Sequence, residues 1–168
     1  MGVPQFKEIR RAYGFDDVAI APGVVTINPE QVNTEFSING MTMPIPLLAS
    51  AMDAIVSPSF AVEFHKRGGL AVMNLEGVQT RYDDPTEVLE RIVTASKKDS
   101  TTVMQEAYAN PIKEHLVGDR VQEIKSRGSK CAVSVTPANT KRLAPLAEEA
   151  GADMIVVQST VTTARHIS

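Results

Sequence analysis

Residues 57–74 read Ser-Pro-Ser-Phe-Ala-Val-Glu-Phe-His-Lys-Arg-Gly-Gly-Leu-Ala-Val-Met-Asn, and the order of their signals sets the fold class. Ser57 is an N-cap followed by Pro58 at the first helical position, where a missing N–H removes no helical hydrogen bond. Ala61, Phe64 and His65 share one face of the helix that follows, and Gly68-Gly69 supplies its left-handed stop. Leu70-Ala71-Val72-Met73 then runs apolar on both faces. A strand of that kind is buried on both sides, which in practice means a parallel strand with helices outside.

Working outward, the same texture recurs at Leu47-Leu48-Ala49, Cys131-Ala132-Val133-Ser134-Val135 and Met154-Ile155-Val156-Val157. Ala49 to Met73 is 73 − 49 = 24 residues and Val135 to Val157 is 157 − 135 = 22, each the length of one β/α unit. Asp84-Pro85-Thr86-Glu87 reads as a capping box opening a helix striped by Val88, Leu89, Ile92 and Val93. Further helical segments are expected over Thr102–Ala109, over Pro111–Leu116, and from a second cap at Asp119 to Gly128. Another carries Leu143, Leu146, Ala147 and Ala150 and ends at Gly151, with a kink or a true start near Pro145.

Before Pro46 the chain is rich in turn formers: Ala21-Pro22-Gly23 and Asn39-Gly40 bracket Val24–Ile27 and Phe36–Ile38. Residues 1–45 are read as an arm with a hairpin, and 46–168 as one α/β region of about four βα units. Right-handed βαβ connections leave an open doubly wound sheet or a (β/α)₈ barrel. A closed barrel takes about 250 residues, so in that case this chain holds its first half and is expected to be part of a longer one.

The composition narrows the function. With 17 Lys+Arg against 20 Asp+Glu, a net charge of −3 is too balanced for a protein built on nucleic-acid phosphates. One cysteine, Cys131, cannot form an intrachain disulfide. The start lacks a signal-peptide apolar region, Phe6 stands where a myristoylation signal needs Ser or Thr, and no apolar run approaches a membrane span. A cytoplasmic protein that engages neither nucleic acid nor membrane is expected. Motifs for a Rossmann dinucleotide site, a P-loop or a zinc site are lacking, and no metal is expected. Cys131, at the start of a buried strand, reads as a small apolar filler. His65 and His115 sit on helices, His166 is isolated, and the pairs Asp16-Asp17 and Asp83-Asp84 read as caps rather than acid–base catalysts.

What remains is polarity at the strand ends: Ser50-Ala51-Met52-Asp53, Asn74-Leu75-Glu76-Gly77, Thr136-Pro137-Ala138-Asn139 and Gln158-Ser159-Thr160. In parallel α/β folds that rim binds ligands, because loops and helix N-termini converge there. Four polar loops on one rim point to a small-molecule site.

Three stretches carry a resemblance: Gly14-Phe15-Asp16-Asp17-Val18 with Ala21-Pro22-Gly23, Pro44–Asp53, and Arg67–Asn74. Together they resemble the IMP dehydrogenase/GMP reductase family along nearly the whole chain, and Asn74-Leu75-Glu76-Gly77 with Thr80-Arg81-Tyr82 looks like its IMP-dehydrogenase-related branch. The resemblance implies a (β/α)₈ TIM barrel, a purine 5′-monophosphate substrate (GMP or IMP), NADPH or NAD as cofactor, and a homo-tetramer or larger assembly. It places Ser50 and Met52 against the nucleotide, by hydrogen bonding and by packing. Asn74, which replaces a strand-two His, is assigned to the same substrate side. Gln158, Ser159 and Thr160 fall at the cofactor, with Gln158 replacing a family Asp and so removing its charge.

The family's catalytic cysteine, which attacks the purine at C2, matches no residue of this chain, so the catalytic residues are unassigned and the chain alone is expected to be inactive. The 57 residues between Met73 and Cys131 cannot hold the CBS domain pair of typical IMP dehydrogenases. That gap and the altered Asp tilt the expectation toward NADPH-dependent reductive deamination of GMP to IMP. The alternatives are NAD-dependent oxidation of IMP to XMP, and a half-barrel that binds or assembles without chemistry.

Overall fold

The structure, a computed structural model, describes residues 11–159. Thr160 and His166 lie outside the described residues. The chain forms two compact units, Met1–Asn33 and Thr34–Ser168. In the first, two single-turn 3₁₀ helices, Phe15–Asp17 and Pro29–Gln31, are each closed by a side chain reaching back. Asp17 accepts the Gly14 N–H at 2.9 Å and Gln31 accepts the Asn28 N–H at 3.0 Å.

The second unit opens with a hairpin, β1 (Phe36–Ile38) and β2 (Met41–Met43), paired antiparallel with Ile38 opposite Met41. Its two-residue turn needs positive φ at both central positions, and Asn39 (47°) and Gly40 (78°) supply it. The remaining elements are β3 (Leu48–Ala49), α1 (Pro58–Lys66), β4 (Leu70–Asn74), a short 3₁₀ helix after β4 (Val78–Thr80), α2 (Thr86–Thr94), α3 (Ser100–Ala109), α4 (Glu114–Lys125), β5 (Ala132–Val135), α5 (Pro137–Glu149) and β6 (Met154–Val157).

Four of the strands make one parallel sheet in the order β3-β4-β5-β6. The register sets Val72 opposite Ala132 and Ala132 opposite Met154, then Asn74 opposite Ser134 and Ser134 opposite Val156. Alternation therefore sorts each strand between two faces. Ala71, Met73, Val133 and Val135 join Val62, Val117, Val121, Ile124 and Leu143 in the main core under the helices. Leu70, Val72 and Ala132 face the other way and pack with Met41 and Met43 of the hairpin. Each fully buried Leu, Ile, Val or Met side chain contributes about 1.5–3 kcal/mol, so the helix-covered face dominates the stability.

Helix α1 forms as its signals predict: Ser57 Oγ accepts the Phe60 N–H at 3.1 Å, and Gly68 turns the chain at φ 94°. Three local expectations are corrected. The segments read as Pro111–Leu116 and as a helix capped by Asp119 are one helix, α4, because Leu116, Val117, Val121 and Ile124 share a buried face that carries the helix through Asp119. Glu87 does not close a capping box; Asp84 alone accepts from the backbone, taking the Thr86 N–H at 2.9 Å. Helix α5 starts at Pro137, not at Pro145. The ring of Pro145 deprives only the Lys141 carbonyl of its helical donor, and both residues are on the exposed side, where water substitutes.

Candidate functional site

The C-terminal ends of the four parallel strands carry two kinds of polar group. Around β4 and β5 the groups are bound to one another. Glu76, two residues beyond β4, accepts the Thr136 N–H at 2.5 Å and the Asn139 amide at 2.7 Å, so its carboxylate closes the N-terminus of α5. Burial pushes its pKa up, but the Thr136 and Asn139 hydrogen bonds, helped by the Arg81 charge, outweigh that and hold it below the ordinary carboxylate range.

Asp53 accepts the Val78 N–H at 2.8 Å and the Tyr108 hydroxyl on the same oxygen, Oδ2. Its Oδ1 is buried without a hydrogen-bond partner, against Gly77, where a Cβ would stand 1.9 Å away. Gly77 is glycine because the carboxylate fills the side-chain position. Burial, and then Asp53, push the Tyr108 hydroxyl well above its ordinary range, so it stays a donor at neutral pH. Arg81 completes the lattice: Nε donates to the Glu76 carbonyl at 3.0 Å, and the guanidinium donates to the Tyr108 carbonyl at 3.1 Å and to the Asn110 carbonyl.

On the face of the sheet away from the helices the groups are open. Leu48, Ala49, Ser50, Ala51, Val72, Ser134, Val156 and Gln158 line a cavity of about 290 Å³. Ser134 is almost wholly buried, and its hydroxyl has no hydrogen-bond partner. Ser50 and Gln158 are exposed, and neither is charged. The cavity thus offers hydroxyl and amide groups on an apolar floor.

Of the residues singled out in the sequence, the structure brings Ser50 and Gln158 together in this cavity and adds Ser134. Met52 is half exposed and lines a second cavity, of about 280 Å³, with Asp53, Val78, Met104 and Tyr108. Asn74 folds onto its own turn, accepting the Glu76 N–H at 3.0 Å. Ser159 is exposed at the sheet end. Sequence reasoning missed Ser134 and Tyr108, and it named Asp53 only as part of a polar strand end. A serine alternating with alanine on the inner face of an otherwise apolar strand was the available signal for the first. Tyr108 is 55 residues from Asp53 and gave none.

The other titratable candidates are structural. Cys131 is buried, and its thiol is pushed up to about 12 by burial and then by the Asp153 charge, which removes the thiolate a nucleophile needs. Asp83 pairs with Lys113 and lies 3.5 Å from His115 at the surface. Among the described residues no three His, Cys, Asp or Glu are grouped to hold a metal ion, and no helix is long and apolar enough to cross a membrane.

Comparison with known proteins fits this geometry. A family model described as the IMP dehydrogenase / GMP reductase domain matches residues 12–167. Proteins described as uncharacterized oxidoreductases, from Mycolicibacterium smegmatis and Mycobacterium tuberculosis, are 34% identical over 96% of the chain and 44% of their own length. An inosine-5′-monophosphate dehydrogenase of Methanocaldococcus jannaschii is 26% identical over 75% of the chain and 24% of its length. The crystal structure of an IMP dehydrogenase/GMP reductase-like protein from Corynebacterium glutamicum superposes with a TM-score of 0.83 at 32% identity, covering 96% of this chain and 44% of that one. The chain spans less than half the length of these relatives, and its parallel sheet is a partial (β/α)₈ barrel, the one of the two architectures left open by the residue pattern that the family resemblance implies. On the family match, the strand order and the superposition together, the chain belongs to the IMP dehydrogenase/GMP reductase family.

Proposed function

We propose that this chain supplies part of the nucleotide site of a purine-nucleotide oxidoreductase, which moves two electrons between a purine 5′-monophosphate and a nicotinamide dinucleotide. The observation that carries the reading is the cavity in which Ser50 and Gln158 meet the unpartnered hydroxyl of Ser134. A buried hydroxyl without a partner costs stability unless something outside the chain completes it. A purine ring or a carboxamide has the in-plane donors and acceptors to do so. The nicotinamide, when bound, supplies the electron acceptor or donor. This chain's residues fit it through the Gln158 side chain, which can both donate to and accept from a carboxamide, with Ser159 and Thr160 following it in sequence. Ser50, Met52 and Asn74 belong to the purine side.

Two directions are open to the chemistry. NAD-dependent oxidation of IMP to XMP is favoured by the enzymes named among the relatives, which are inosine-5′-monophosphate dehydrogenases. Reductive deamination of GMP to IMP with NADPH is favoured by the 57-residue connection from β4 to β5, which leaves no room for a regulatory domain pair. A tetrameric or larger assembly acting in the cytoplasm is part of the same proposal.

The test uses the full-length gene product, its intact mass and its solution mass measured first. Absorbance at 340 nm is then followed with IMP plus NAD and, separately, with GMP plus NADPH. A rise with IMP plus NAD would establish the dehydrogenase. A GMP-dependent fall would establish the reductase, and no change in either mixture would overturn the enzymatic reading in favour of a half-barrel that only binds or assembles.

A further inference from the structure

The connection between β4 and β5 does more than join two strands. Its helices α2 and α3 stand beside the loop that leaves β3, and α3 touches that loop at one polar point, the Tyr108 hydroxyl on Asp53. The geometry points to Tyr108 as a positioning residue that, through Asp53, sets the Ser50–Val56 loop and with it the purine-side residues Ser50 and Met52. This inference rests on the proposed nucleotide site.

Three observations carry it. First, the loop is closed on itself by its own backbone: Met52 N–H donates to the Ser50 carbonyl at 2.8 Å, and the Ile55 and Val56 N–H groups donate to the Met52 carbonyl at 2.9 and 2.8 Å. Asp53 lies inside that closed turn, one residue from Met52 and three from Ser50. Second, Asp53 is held by two hydrogen bonds. The Val78 N–H and the Tyr108 hydroxyl share Oδ2, while Oδ1 packs against Gly77 in the space a Cβ would fill.

Third, Tyr108 is itself fixed. The Arg81 guanidinium lies 5.6 Å from the ring centre, over its face, and donates to the Tyr108 carbonyl. The Tyr82 hydroxyl donates to the neighbouring Ala107 carbonyl at 2.9 Å. Ala107 is buried with Val78 and Val88, which ties α3 to the short helix after β4. The end of α3 is thus anchored to the β4 side of the rim, and the Tyr108 hydroxyl carries that anchor across to the β3 loop.

A purely structural tyrosine would show a different pattern of loss from one that places a binding loop. In the full-length protein, Tyr108→Phe keeps the ring under Arg81 and removes only the hydroxyl. Amide exchange at Val78, Ile55 and Val56 is expected to quicken about fivefold in the variant, the effect of one lost hydrogen bond, while exchange in β5 and α4 stays unchanged. The KM for the purine nucleotide is expected to rise by a similar factor, with kcat and the KM for the dinucleotide within twofold of wild type. Asp53→Asn, whose amide oxygen still accepts both bonds, should retain most of the wild-type KM, whereas Asp53→Ala should not.

Unchanged exchange in the loop of Tyr108→Phe would overturn the inference. So would a uniform rise in exchange across the barrel, or equal effects on both KM values and kcat. If the wild-type protein turns over neither nucleotide, the proposed function fails, and the exchange measurement still decides whether Tyr108 holds the loop.

Discussion

The two halves of the rim use the same kinds of side chain to opposite ends. Around β4 and β5, Glu76, Asn139, Asp53, Tyr108 and Arg81 spend their hydrogen bonds on one another and on nearby backbone groups. In the cavity that Ser50, Ser134 and Gln158 line, the Ser134 hydroxyl is buried and open. The first set contains the charges and the second contains none. Charged groups next to a low-dielectric core are costly unless paired, and here Glu76 and Arg81 are tied to their neighbours while Asp53 is bonded through Oδ2 alone, so this set builds the frame. Neutral hydroxyls and amides can wait for a ligand at smaller cost, and they are the groups left facing the cavity.

Gly77→Ala tests the frame most severely. A methyl group there would stand 1.9 Å from Asp53 Oδ1, so the carboxylate would have to leave its place and its bonds to Val78 and Tyr108. A destabilisation of about 1–3 kcal/mol, the usual cost of overpacking, is expected in thermal or denaturant unfolding. The same substitution made in an Asp53→Ala background should cost much less, since the clash is with the side chain already removed. Equal costs in the two backgrounds would mean that Gly77 is needed for its backbone and not for the carboxylate.

Glu76→Ala comes next. It uncaps α5 by removing the acceptor of the Thr136 N–H, and about 1–2 kcal/mol is expected to be lost at neutral pH. The sign of the pH dependence follows from the lowered pKa. A carboxylate held below its ordinary value of 4.5 stabilises the fold at pH values above that value, and the contribution fades as pH falls through the folded-state pKa. The gap in melting temperature between wild type and Glu76→Ala should therefore be full at pH 7 and shrink on acidification below about pH 4.5. A gap that stays constant down to pH 3 would show that the charge on Glu76 is not what holds α5.

What was legible in the sequence divides along the same line. The runs Leu70–Met73, Cys131–Val135 and Met154–Val157 and the Ser57-Pro58 start are local signals, and each became an element within a residue of its expected bounds. Leu47 and Leu48 read as buried but are half exposed, because an edge strand's burial depends on what lies beside it and not on its own residues. Asp119 misled as a cap, since a polar residue inside a helix looks like a boundary until the stripe Leu116, Val117, Val121 and Ile124 is given more weight. At the site, Ser50 and Gln158 were legible because strand ends are. The Asp53–Tyr108 contact was not, because it joins two elements whose meeting depends on the whole connection between β4 and β5.

The smallest expected effect on stability is also the one that separates the two halves of the rim most sharply. Ser134 is buried at the centre of the sheet, on the row it shares with Asn74 and Val156, and its hydroxyl has no partner. Ser134→Ala replaces the unsatisfied hydroxyl with a hydrogen and changes the side-chain volume little. Unfolding should change by less than about 0.5 kcal/mol, and a small gain is the more natural direction. Binding of the purine nucleotide, measured by calorimetry on the full-length protein, should by contrast weaken about fivefold, the value of one hydrogen bond made only when the ligand is present. A clear loss of stability with affinity intact would invert the assignment and make Ser134 part of the frame. Affinity lost without stability would place the Ser134 hydroxyl among the groups that meet the ligand.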